Sequence, residues 1–114
     1  VVIIHNNMLE IILLINSLRT EPLIVSEELN RVAEVRAIQI SENYSHDNFK
    51  EAFIGLNCSY YGENLLWGYR NNEDRVNAWA NSPTHYANMI KPEYKYIGIG
   101  QHGKYIATTF CDHP

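Results

Sequence analysis

Only two cysteines, Cys58 and Cys111, occur in the 114-residue chain, with four prolines and six glycines. Two cysteines allow one intramolecular pairing, and neither belongs to a CxxC pair, which argues against dithiol redox centres and zinc knuckles. An exported chain favours a disulfide and a cytosolic one favours two buried thiols, so at this level both states stay open. Basic residues are also in deficit, with 9 Lys and Arg against 13 Asp and Glu and a formal charge of −4. Lys91, Lys95 and Lys104 are separated by Glu93 and by apolar residues. Phosphate binding needs a concentrated basic surface, so nucleic acid is not an expected partner. Long apolar runs are missing too. The most apolar stretch, Ile11 to Ile15, is bracketed by Glu10 and Asn16 and falls far short of the roughly 20 residues a membrane-spanning helix needs. No repeat, linker or low-complexity tract divides the chain, and there is no HExxH motif.

What is present reads as one ordinary globular domain over residues 1–114, with 46% hydrophobic and 19% charged residues. The chain starts at Val1 rather than Met, so it reads as a trimmed or processed fragment, and any signal peptide or lipid-attachment segment would lie upstream. Met8 to Leu18 is expected to be a helix capped by Asn6 or Asn7. Its apolar residues cover most of the circumference, which predicts burial on more than one side. Pro22 ends that segment. Ser26 reads as the cap of a second helix running to about Tyr44, with Glu27 and Glu28 in its first turn and Leu29, Ala33, Ala37 and Ile40 along one face. Residues from Ser45 to Tyr61 read as a loop. Asn72 is the expected cap of a third helix through Ala80, and Ser82-Pro83 the start of a short fourth one. The period then changes from helical to alternating. Tyr96–Gln101 and Tyr105–Phe110 are expected to pair as an antiparallel hairpin turning at Gly103.

Several segments, in order, resemble the CAP superfamily of cysteine-rich secretory, antigen 5 and pathogenesis-related proteins, in its short bacterial form. They are Ile15-Asn16-Ser17-Leu18-Arg19 with Pro22-Leu23, Leu29 through Arg36-Ala37, Tyr44-Ser45-His46, and Gly62-Glu63-Asn64-Leu65. Trp79-Ala80-Asn81-Ser82-Pro83-Thr84-His85-Tyr86-Ala87-Asn88 and Tyr96-Ile97-Gly98-Ile99-Gly100 complete the set. The resemblance spans about Met8 to Phe110. It implies an α+β fold, a three-layer α/β/α sandwich around a small antiparallel sheet. It also implies a surface cleft lined by two histidines and two glutamates.

Matched position by position, the cleft histidines are His46 and His85 and the first glutamate is Glu63. The fourth position falls in the region of Ser82, and Glu73 and Asp74 lie at least a turn too early to replace it. Two neutral imidazoles and a carboxylate can bind a zinc-like divalent ion with one position open to water. Such an ion lowers the pKa of its water and enables hydrolysis. Glu63 can instead orient one imidazole, or act as a base, without touching an ion. Ser45 beside His46 is a poor nucleophile–base pair, because adjacent residues rarely present both side chains together. His5, His102 and His113 read as exposed polar residues, Asn64 and Asn88 as partners of backbone groups, and Trp67 as core.

Three functions compete. The expected one is a secreted or surface-exposed, non-enzymatic binding module whose partner is an extracellular protein, lipid or envelope component. A metal-assisted, peptidase-like hydrolase using His46, Glu63 and His85 is the alternative. Lipid or sterol carriage, which the resemblance to eukaryotic members brings in, is the third and requires an apolar groove.

Overall fold

Helix α1 (Asn6–Asn16) opens the part of the chain described by the computed structural model, residues 6–114 with side chains from Met8 onward. His5 and the side chains of the expected caps, Asn6 and Asn7, lie outside the described residues. Strand β1 (Ile24–Val25), helix α2 (Glu27–Glu42) and the short helix α3 (Phe49–Ala52) follow. Next come β2 (Tyr61–Trp67), α4 (Asn72–Ala80), α5 (Pro83–Ile90) and the hairpin of β3 (Tyr96–His102) and β4 (Tyr105–Cys111). The hairpin turns at Gly103, whose φ of 59° lies in the left-handed region.

The four strands lie in the order β1-β3-β4-β2. β4 is antiparallel to both neighbours, pairing Glu63 with Thr109 on one side and Gly98 with Thr109 on the other. β1 is parallel to β3, so the sheet is mixed rather than wholly antiparallel. Neither β1 nor β2 stands out as a strand in the sequence. β1 has two residues, and Gly62, Glu63 and Asn64 are poor strand formers; their extended conformation comes from the continuous ladder with β4.

Alternation divides the sheet residues between two cores. Ile97, Ile99, Ile106 and Phe110 face Ile11, Ile12, Ile15, Trp79 and Met89 of α1, α4 and α5. Ala107 and Leu65 meet Ile40, and Cys111 meets Leu29 and Phe53, on the opposite face under α2 and α3. The result is the α/β/α sandwich. α1 buries one face only, since Leu9 and Leu13 are exposed; the expected burial on several sides does not occur because the helix is an outer layer. α2 starts as its sequence suggests, with Ser26 Oγ accepting the Leu29 N–H at 3.2 Å. For α4 the cap is Asn71, one residue earlier than expected; its side chain accepts the Asp74 N–H at 2.9 Å.

Cys58 and Cys111 form a disulfide across a separation of 53 residues, with Cα atoms 5.5 Å apart. Chain-entropy arguments assign a loop of that length about 4 kcal/mol of stabilisation. The bond ties the segment after α3 to the end of β4.

The tightest layer contact is between α2 and β3. A Cβ on Gly98 would strike the backbone of Leu29 and Asn30, and one on Gly100 the backbone of Ala33 and Glu34. Neither glycine needs its conformational freedom, since both have ordinary strand angles; what the position forbids is a side chain. Gly98→Ala should therefore lower stability by about 1–3 kcal/mol, the usual range for overpacking. The expected reading is a reduced urea midpoint at an unchanged m-value.

Candidate functional site

A charged residue on the apolar stripe of α2 organises the site. Arg36 follows Val32 and precedes Ile40 at helical spacing, and it is fully buried. Its Nε donates to Glu63 Oε1 at 2.8 Å and its Nη2 to Glu63 Oε2 at 2.9 Å. Nη2 also donates to the Ser45 carbonyl, and Nη1 to the Asp47 carbonyl and Gln39 Oε1. All five guanidinium N–H groups are thereby used, the condition under which a buried charge is tolerated. Glu63 reaches Arg36 because β2 directs it toward the α2 layer, in register with Thr109.

Glu63 has a second partner. His46 Nδ1 lies 2.8 Å from Oε2, and since an ionised carboxylate only accepts, Nδ1 carries the proton. The Glu63 side chain is 1% exposed and that of His46 61% exposed. The carboxylate thus lies inside the protein and the imidazole at its surface, with Nε2 the ring nitrogen left free by this bond. The loop bearing His46 is held from beneath by the Arg36 bonds to Ser45 and Asp47. Ser45 itself is engaged locally, its Oγ accepting from Asn43 Nδ2 and from the Asp47 N–H.

His85 comes from the other helical layer, on α5. Its carbonyl accepts from Asn64 Nδ2 at 3.0 Å, and Asn88 Nδ2 bonds the Glu63 carbonyl and Asn64 Oδ1. Trp79 Nε1 bonds the Leu65 carbonyl at 3.0 Å. Side chains of α4 and α5 thereby cover the free edge of β2, and Asn64 and Asn88 serve backbone groups as expected. The His85 imidazole faces Ser82, with Nδ1 and Oγ 2.9 Å apart. Burial, and secondarily the proximity of His46, holds His85 below the ordinary imidazole pKa.

The donor set does not suit a three-ligand ion. Both Glu63 oxygens already accept N–H groups, and among the described residues the ligand atoms of His46, Glu63 and His85 do not all lie within 4.8 Å of one another. The one group whose atoms do, Cys58, Cys111 and Asp112, has both sulfurs in the disulfide. What the arrangement can do is hold His46 in one tautomer and orientation, with Glu63 as the orienting group.

Arg36 is the residue the sequence reading passed over. The signal was a lone Arg on an otherwise apolar helical stripe. Trp67, expected in the core, is 51% exposed, with the Lys104 ammonium 5.0 Å from its ring centroid. As expected, His102 and His113 are exposed.

Residues 14–105 match the CAP, cysteine-rich secretory protein family. The chain belongs to that family. It is 26% identical over 89 residues to the uncharacterized protein YkwD of Bacillus subtilis, covering 70% of this chain and 35% of YkwD. The match therefore spans about a third of that relative. Among solved structures, an extracellular SCP-domain protein of Bacillus anthracis aligns at TM-score 0.80 and 22% identity, over 92% of this chain and 40% of that one. A cysteine-rich secretory protein of Staphylococcus aureus gives 0.86 and 15%, over 94% and 38%. An outer surface protein of Borrelia burgdorferi gives 0.79 and 22%, over 99% and 97%. At these identities the structures establish the shared fold.

Two outcomes follow from the site. Glu63→Ala leaves Arg36 charged, buried and unpaired, and should cost about 3–5 kcal/mol in denaturant unfolding. The second concerns pH. Because the folded-state pKa of His85 lies below its unfolded value of 6.5, acid protonates the unfolded chain first. Its contribution to stability is intact above that value and is lost as the pH falls through it. His85→Gln should flatten the decline in melting temperature between about pH 7.5 and 5; an unchanged decline would show that other groups cause it.

Proposed function

We propose that this CAP domain is an exported or surface-displayed interaction module rather than a metal-assisted hydrolase. The observation that carries the reading is the state of Glu63. Its two oxygens accept three N–H groups from Arg36 and His46 and its side chain is only 1% exposed, which argues against a role as metal ligand or as base for a bound water. A carboxylate so used braces a surface. It fixes the His46 loop against β2 and leaves a rigid polar cleft edge for a partner to read.

Two further observations favour an extracellular setting. The disulfide suits an oxidising compartment. The Bacillus anthracis and Borrelia burgdorferi neighbours are described as extracellular and outer surface proteins. Among the described residues no helix is long and apolar enough to cross a membrane. The partner on this reading is an extracellular protein or envelope component.

Zinc calorimetry joined to peptide-cleavage assays tests the choice. The module reading expects at most weak zinc binding through the two imidazoles, lost in both His46→Ala and His85→Ala, and no zinc-dependent peptide turnover. Tight zinc binding with turnover that survives repurification, and that a folded Glu63→Gln variant abolishes, would restore the hydrolase. Activity equal in Glu63→Gln and the parent would point to a contaminating protease and leave Glu63 outside catalysis.

A further inference from the structure

A second arrangement at the start of α5 is independent of Glu63 and of any metal. We propose that Ser82 is a nucleophile toward small activated acyl esters, with His85 as its general base.

Ser82 occupies the N-cap position of α5 with extended backbone angles, φ −111° and ψ 114°. An N-cap serine ordinarily turns its Oγ onto the first-turn amides, as Ser26 does at α2. Ser82 makes no such bond. Its Oγ is instead 2.9 Å from His85 Nδ1, within proton-transfer distance for a nucleophile and its base. The pair does not act as a reciprocal capping box either, because the Ser82 N–H is already bonded to the Trp79 carbonyl at 3.1 Å. Both residues are partly exposed, so a small ester can reach them.

The local backbone supplies the remaining requirement. Pro83 sits in the first turn and holds its φ. Among the described residues no protein acceptor takes the Thr84 or His85 N–H, the first free amides of α5. In the proposed reaction, the oxyanion of an acyl group on Ser82 Oγ is placed at those amides and the positive end of the helix. The Asn64 bond to the His85 carbonyl fastens the base to β2. Ser45, the serine beside the other histidine, has an Oγ occupied by Asn43 and Asp47.

In the step, Ser82 Oγ bonds to the ester carbonyl carbon while its proton passes to His85 Nδ1. The tetrahedral adduct collapses with cleavage of the carbon–oxygen bond to the leaving alcohol, which takes that proton from His85. Water then attacks the acyl-serine, gives a proton to His85 and releases the carboxylic acid, and His85 returns the proton to Ser82. No oxidant, reductant or metal takes part.

A fluorophosphonate probe with chelator present tests this directly, because the Ser82 Oγ–phosphorus bond forms as fluoride leaves. Intact-mass and peptide mapping should find one adduct, on the peptide containing Ser82, and none in Ser82→Ala. His85→Asn should slow labelling by about 100-fold, the usual scale of general-base assistance. The same wild-type chain in urea should label at least about ten-fold more slowly, separating an activated serine from an ordinary one without any variant. No adduct on the folded protein, an adduct elsewhere, or equal rates in the folded and urea-unfolded chain would overturn the proposal. A folded His85→Asn variant that labels at the parent rate would do so too.

Discussion

The buried pair of Arg36 and Glu63 joins the three structural features on which the site rests: the inner face of α2, an edge strand of the sheet and the loop that carries His46. Taking two charges out of water is costly, and their mutual attraction offsets this only when every donor and lone pair is placed well. Here the guanidinium satisfies five acceptors and the carboxylate accepts three N–H groups. Such a pair is a weak source of net stability and a strong source of specificity, because a displaced strand or loop would strand a charge inside the protein. It also holds both Glu63 oxygens in hydrogen bonds to Arg36 and His46.

The pair spans a short gap, because α2 lies close to the sheet. Gly98 and Gly100 remove the side chains that would hold the helix away, so its backbone rests against β3. On the other face the strand side chains are large, Ile97, Ile99 and Phe110, and the layer of α1, α4 and α5 stands on them. One alternating strand thus produces a thin interface and a thick one. The disulfide and the aromatic group of Phe49, Phe53 and Tyr61 close the end of the thin side, where α3 covers Cys111.

β2 is an edge strand, and such an edge exposes unpaired backbone groups that invite association. The indole of Trp79 and the amide of Asn88 bond two of its carbonyls. The residues that protect the edge therefore also bring α5, with Ser82 and His85, beside Glu63. Placement of the second histidine is a consequence of closing the sheet.

Much of this protein is local physics and could be read from the chain. The N-cap at Ser26, the apolar stripe of α2, the start of α5 at Ser82-Pro83 and the alternation through the hairpin depend on near neighbours, and each appears where the sequence places it. The family is legible for the same reason, since its motifs are short and lie in order from Met8 to Phe110. Long-range pairing decided the rest. Gly62, Glu63 and Asn64 become a strand because β4 is beside them, and Trp67 is exposed although its composition suggests core. Cys58 and Cys111 bond because the fold brings them together. A metal site at His46, Glu63 and His85 is implied by the family resemblance, not by anything local in the sequence. Whether Glu63 is free to serve one depends on where Arg36 lies, 27 residues away along the chain, and sequence spacing does not encode that contact.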